Sequence, residues 1–351
     1  MNQSGKTGMP AGPGRVVILG TGGTIAGLRD DPGRAWHYQA AQLSVDALVQ
    51  AVPALQSHVL SAQQVAQVDS KDMGWAIWRE LARALQTHLA EPDVSGVVIT
   101  HGTDTLEETA YLLHRLHDGR KPVVLTGAMR PADAPDADGP ANLLDAVRVV
   151  EEAARRGLGG VAAVMAGRVW AGRDVRKAHS REIDAFDGGG ARPLAVLAAD
   201  GGWRDAMPVW PVGGQGGWAV LQAVPPRVEL VFSHADADGW LVDAALAHAR
   251  ALEPGRAGQS GQGMPDRPLR GLVVAGTGHG TVHQGLSEAL VRAKAAGVKV
   301  WRTTRVARGG VLAREGDALA ASGPLTPAQA RIALILALLG VPPDTDATPL
   351  G

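Results

Sequence analysis

VVILGTGGTIAG (Val16–Gly27) and VVITHGTDTLEETA (Val97–Ala110) are the stretches on which the fold turns. In each, a continuous apolar run ends in a loop rich in glycine and threonine. Continuous runs fit strands covered by helices on both faces, whereas alternating ones would leave one face wet. Comparable runs stand at Val123–Thr126 and Val161–Met165, with helical patterns over Trp75–Leu89 and Thr105–His117. That alternation predicts an α/β fold with a mainly parallel sheet. Ligands of such sheets sit outside the carboxyl ends of the strands. The loops Thr21–Thr24, Thr100–Thr105 and Thr126–Arg130 are therefore where chemistry is expected.

At 351 residues the chain exceeds the roughly 250–300 at which single cores stop growing, so two domains are expected. A second α/β series supports this, with strand-like runs at Val228–Phe232, Leu272–Ala275 and Val298–Trp301 and a helix over Pro327–Leu339. Between Gly188 and Gln222 the pattern dissolves into glycine, proline and isolated tryptophans, a linker composition with anchoring rings. The predicted division is a disordered stub over 1–14, a larger N-terminal catalytic domain over 15–190, a linker over 191–224, and a smaller C-terminal α/β domain over 225–345. The Gly/Ser/Pro-rich stretch Pro254–Pro268 reads as a solvated loop.

Composition excludes several function classes. With 45% apolar and 20% charged residues the chain has the make-up of a folded globular protein. A net charge of −1 provides no cationic field, so neither a nucleic acid nor an anionic membrane is an expected partner. The absence of cysteine excludes disulfides, thiolate catalysis and cysteine-ligated metals. The first 14 residues lack the apolar core of a secretory signal, so a cytoplasmic location is expected. Ile332–Val341 is about half the roughly 20 residues of a membrane span and reads as a core helix.

The glycine loop after Val16–Leu19 does not make a dinucleotide fingerprint, because Ile25 stands where G-x-G-x-x-G requires glycine. It reads either as a plain strand-to-loop turn or as a tight turn presenting a nucleophilic hydroxyl, Thr24 first and Thr21 second. In THGTDTLEETA the spacing Thr105-x-x-Glu108 predicts a capping box and a helix start with free N–H groups, where a substrate carboxylate could lie beside Thr103 and Asp104. Asp104 alone reads equally as a cap. Lys177, one of six lysines among 34 basic residues, is a candidate general base in a role that arginine could not fill, or else a solvated cation. The pairs His114/His117 and His279/His283 offer no convincing ligand set, so no metal is expected. The nine tryptophans read as packing anchors.

Taken together, GTGGTIAG, DSKDM, THGTDTLEETAY, PVVLTGAMRP, DADGPANLLDAV and AGRDVRK, in this order, resemble the bacterial L-asparaginase/glutaminase-asparaginase family over nearly the whole chain. The EETAY form is closer to the type II branch. The resemblance implies that Thr24 is the first catalytic threonine and that Tyr38 hydrogen-bonds to it. Thr103, Asp104 and Lys177 match the family's second threonine, aspartate and lysine. Ser70 would grip the substrate α-carboxylate, Asp104 the α-ammonium, and the backbone of Ala128 the amide. Lys71 stands where type II enzymes often carry glutamine, and a fixed cation there would attract carboxylate and repel ammonium. Thr281 and Glu315 match substrate-site residues that a neighbouring subunit contributes. The implied activity is hydrolysis of L-asparagine, with some L-glutaminase activity, by a homodimer or homotetramer with shared sites and without cofactor or metal. Two rival readings are the amidase subunit of a tRNA-dependent amidotransferase and a non-catalytic amino-acid sensor. The first would need a further N-terminal domain and a partner chain. The second would not require both threonines, Asp104 and Lys177 together.

Overall fold

In the computed structural model the described residues are 14–31, 37–198, 200–204, 207–214, 217–251 and 267–342. The stub, apart from Gly14, and most of the Pro254–Pro268 stretch lie outside them. The larger sheet follows the order β11-β8-β7-β6-β5-β1-β4. Its strands are β1 (Arg15–Gly22), β4 (Leu60–Val68), β5 (Val94–Thr100), β6 (Pro122–Thr126), β7 (Gly160–Met165), β8 (Arg168–Ala171) and β11 (Ala195–Val196). The strands from β4 to β7 pair in parallel, and β8 and β11 extend the edge antiparallel. Two short ribbons stand beside it, β2 (Leu28–Arg29) with β3 (Tyr38–Gln39), and β9 (Arg176–Lys177) with β10 (Phe186–Asp187).

Both faces of the sheet are covered, as the unbroken apolar runs require. Val17 and Leu19 of β1, Val97 and Ile99 of β5, and Val123 and Leu125 of β6 pack with helices α2 (Trp75–Ala90) and α3 (Leu106–Leu116). Val16, Ile18, Val98 and Val124 face the opposite way, onto α1 (Val45–Gln50) and α4 (Gly139–Arg155). Strand β4, LSAQQVAQV, escapes a search for apolar runs. It is an edge strand, and its Gln64 works locally, accepting from the Val45 amide at 2.7 Å and donating to the Gly20 carbonyl at 3.2 Å.

The smaller sheet is wholly parallel, in the order β12 (Arg227–Phe232), β13 (Leu269–Gly276), β14 (Lys299–Thr304), β15 (Ala320–Ala321). Helices α5 (Trp240–Ala251) and α6 (Gln284–Ala295) cover one face and α7 (Pro327–Leu338) the other. Residues 195–196, expected in the linker, add the edge strand β11 to the larger sheet instead. The anchoring rings behave as expected: Trp210 is buried beneath one face and Trp218 beneath the other.

Helix α7 is apolar on nearly every side, the pattern of a helix enclosed all round. Ile332, Leu334 and Leu336 belong to one core with Leu112, Leu113 and Leu116 of α3 and Val273 of β13, so the two domains share hydrophobic packing. Leu334 fits because Gly271 leaves room; a Cβ there would lie 2.9 Å from its Cδ2. Leu334→Ala is expected to lower the unfolding free energy by about 2–5 kcal/mol. Urea titration checks this, and an unmoved midpoint would show that the seam carries little stability.

Candidate active site

Parallel pairing of β1 with β5 sets Gly20 beside Thr100 and brings the two glycine loops together at the carboxyl edge. The approach is closer than any side chain would allow. Gly23 has φ +83°, and a Cβ on it would sit 2.3 Å from the Gly102 Cα. On Gly102, a Cβ would lie 2.5 Å from Ser70 Oγ. Thr21, the second hydroxyl candidate, donates to the Thr100 carbonyl at 2.9 Å and so ties the loops together. Thr24 is buried, and its Oγ1 lies 2.9 Å from Tyr38 Oη. Tyr38 arrives on the β2–β3 ribbon, and its ring lies against Gly27, where a Cβ would come within 3.0 Å of Cδ2.

The second group forms around Lys177. Its Nζ donates to Thr103 Oγ1 at 2.9 Å and to Asp104 Oδ1 at 2.6 Å. Thr103 is buried, whereas the Asp104 side chain is 58% exposed. Ser70, buried in the turn after β4, accepts from the Asp104 amide at 3.2 Å, and its carbonyl accepts from the Thr105 hydroxyl at 2.8 Å. That bond replaces the capping box expected at Thr105 and Glu108. The Thr105 side chain makes no cap bond to α3; its hydroxyl is turned toward the Ser70 carbonyl. A capping box does form at Thr326 and Gln329, at the start of α7.

Asp138 and Asn142 shape the third loop. Asp138 accepts from the amides of Met129 and Arg130 at 2.9–3.1 Å, and Asn142 Nδ2 donates to the Gly127 carbonyl at 3.0 Å. Ala128 is wholly buried within this clip.

Other expected site residues stand apart. The Lys71 ammonium is 63% exposed and sits between Asp69 at 2.6 Å and Asp72 at 3.4 Å, so its charge is countered locally and its pKa is raised, chiefly by the bond to Asp69. Thr281 and Glu315 are exposed on the second domain, Thr281 bonded to Thr277. Among the described residues no hydrogen bond or ion pair joins either to the cluster within one chain.

Sequence reading missed His101, which is wholly buried under the second loop. Trp78 Nε1 can only donate, and its partner is Thr109 Oγ1 at 2.9 Å. The Gly102 carbonyl can only accept, so His101 Nδ1 carries the proton and donates to it at 2.7 Å, and in the neutral ring Nε2 accepts from the Thr109 hydroxyl at 2.9 Å. Burial, not the bonding alone, favours the neutral ring. Burial pushes the pKa of His101 down to about 4, against the smaller opposing pull of the Gly102 carbonyl.

A two-domain α/β protein with a threonine–tyrosine pair and a threonine–lysine–aspartate cluster at adjacent strand ends is what fold and geometry define. Residues 15–205 match the family described as asparaginase, N-terminal, and residues 227–344 match the glutaminase/asparaginase C-terminal domain. The chain belongs to the asparaginase family. It is 34% identical to L-asparaginase 2 of Escherichia coli (strain K12), over 92% of this chain and 88% of that protein. It is 32% identical to the glutaminase-asparaginase of Pseudomonas fluorescens biotype A, over 92% of this chain and 86% of that protein. A solved structure described as a probable cytoplasmic L-asparaginase from Campylobacter jejuni superposes with a TM-score of 0.81 at 34% identity, covering 93% of this chain and 95% of that one.

Because the His101 pKa is depressed when folded, the unfolded chain takes up the proton first as pH falls through about 6.5. Stability is then lost down to about 4, where the folded state also protonates. Gln at 101 can donate and accept but cannot charge. The difference in unfolding free energy between wild type and His101→Gln should therefore shrink by up to about 1.4 kcal/mol per pH unit across that window. Urea titrations at stepped pH measure it, and a constant difference would mean that His101 does not stay neutral.

Proposed function

We propose that this protein hydrolyses L-asparagine to L-aspartate and ammonia through a threonine acyl-enzyme, with L-glutamine as a second substrate. The observation that carries the reading is the placing of two hydroxyls, Thr24 beside Tyr38 and Thr103 beside Lys177 and Asp104, on loops whose backbones touch. A lone threonine hydroxyl is a poor nucleophile and needs a base within hydrogen-bond reach. Each of these has one.

In this reading the Thr24 Oγ1 attacks the side-chain amide carbon while Tyr38, or Lys177 as the neutral amine, takes its proton. The C–N bond breaks, ammonia leaves with a returned proton, and an ester to Thr24 remains. Water activated beside Thr103 and Lys177 then attacks the ester, releasing aspartate and restoring the hydroxyl. Backbone N–H groups of the glycine loops and the Ala128 turn would hold the oxyanion, where one donor is typically worth about 2.7–4 kcal/mol. Ser70 and Asp104 would take the α-carboxylate and α-ammonium. The E. coli and P. fluorescens relatives, named for asparaginase and glutaminase-asparaginase, support both the reaction and the second substrate. One side-chain methylene separates the two amides, a difference usually worth about 1–3 kcal/mol, so their ranking rests on measurement.

We also propose a homodimer or homotetramer, with Thr281 and Glu315 completing the site of a neighbouring subunit. Their exposure and their separation from the cluster within one chain support this. A cytoplasmic location is proposed as well. The C. jejuni structure is described as a probable cytoplasmic enzyme, while a Haemophilus influenzae relative is described as periplasmic. No described helix is long and apolar enough to cross a membrane.

Ammonia release should appear with L-asparagine and be absent in Thr24→Ala, whose circular dichroism should match wild type. Full activity in that variant would remove Thr24 from the nucleophile's role, and silence from folded wild type would overturn the activity. For assembly, sedimentation should give a dimer or larger, and a fully active monomer would defeat the shared site.

A further inference from the structure

The segment 103–107 holds Lys177 at both ends. Its first two residues, Thr103 and Asp104, receive the ammonium, while Glu107, in the first turn of α3, accepts the backbone N–H of Lys177 on Oε2 at 2.9 Å. Strand β9 is two residues long, so its ladder to β10 gives the root of this side chain little support. A lysine stem carries about 2 kcal/mol of rotamer entropy, so where its root is fixed governs how often the ammonium meets its partners.

The same carboxylate reaches the second domain. Glu107 Oε1 accepts from the Thr326 hydroxyl at 3.0 Å, and Thr326 in turn caps α7 by accepting from the Gln329 amide at 3.2 Å. Gln329 Nε2 donates to the carbonyls of Arg173 and Val175, at 3.3 and 3.1 Å, in the stretch that leads into β9. The first turn of α7 thus grips the lysine-bearing strand directly through Gln329 and indirectly through Glu107. Glu107 lines an inter-domain cavity of about 270 Å³ that also touches Arg176 and Asp187. Burial raises its pKa, and its two donors, Lys177 N–H and Thr326, pull the other way.

We propose that Glu107 is the positioning residue that aims Lys177 at Thr103 and Asp104, and that its bond to Thr326 makes this aim depend on docking of the second domain. The proposal rests on the reading of Lys177 as part of a threonine hydrolase. Glu107→Ala removes both acceptors, whereas Glu107→Gln keeps a carbonyl for the Lys177 amide. Misplacement by an ångström can cost about 10²-fold in rate, so Glu107→Ala should lower kcat for L-asparagine by roughly that factor, leave KM within about threefold, and be largely rescued by Glu107→Gln.

A second readout does not need turnover. With lysine labelled at Cε, six resonances are expected, and the one missing in Lys177→Arg is that of Lys177. It should move in Glu107→Ala and return in Glu107→Gln. If Glu107→Ala does not fold, Thr326→Val replaces it, with the same resonance moving and kcat falling to a smaller extent. A folded variant with unchanged kcat and an unmoved Lys177 resonance would overturn the proposal. Wild type that releases no ammonia while the resonance still moves would overturn the activity and leave the positioning intact.

Discussion

The backbone of one loop rests on the backbone of another, Gly23 against Gly102, and the site is built outward from that contact. Only glycine permits it. Gly23 has φ +83°, a region that other residues rarely adopt, and a Cβ would overlap the neighbouring main chain. The parallel register of β1 and β5 brings both loops to the same level, and the Thr21 hydroxyl bonds them. Thr24 and Thr103, one residue beyond each glycine, are thereby set on neighbouring ledges.

Around that contact the molecule rigidifies each ledge separately. A neutral His101, fed by Thr109 and Trp78, fixes the Gly102 carbonyl, and Asp138 with Asn142 fixes the third loop. These are buried polar groups with their partners supplied, an arrangement that favours a single geometry, since leaving any one unpaired costs about 1–3 kcal/mol. The tyrosine and the lysine, in contrast, arrive on two-residue ribbons that could not hold position alone. Each is braced from outside its ribbon: Tyr38 by its ring against Gly27, Lys177 by Glu107 and the first turn of α7.

That brace gives the second domain a part in the first domain's site without lending it a reacting group from the same chain. Helix α7 is buried against α3 and β13, so the hydrophobic seam that joins the domains also sets the cap at Thr326. Packing and chemistry meet in one helix turn, with apolar side chains supplying the docking energy and Thr326 and Gln329 carrying it to the root of Lys177.

Much of this was legible in the chain alone. Unbroken apolar runs marked β1, β5, β6 and β7 as strands covered on two sides, and the placing of Thr24, Thr103 and Asp104 after them followed from where such sheets bind ligands. Strand β4 was not legible, because an edge strand rich in glutamine carries no apolar run. Nor was the fate of Thr105, whose capping-box spacing is real but whose hydroxyl goes to Ser70, a partner 35 residues away that no local rule can see. Sequence by itself determined the two-domain α/β architecture, the glycine positions and the hydroxyls, because local propensity and periodicity act over a few residues. Tertiary structure decided that Thr21 ties the two loops while Thr24 meets Tyr38, that Lys71 turns to Asp69 and Asp72, and that Glu107 reaches Lys177, because hydrogen bonds are assigned between side chains brought together only when sheet and helices have packed.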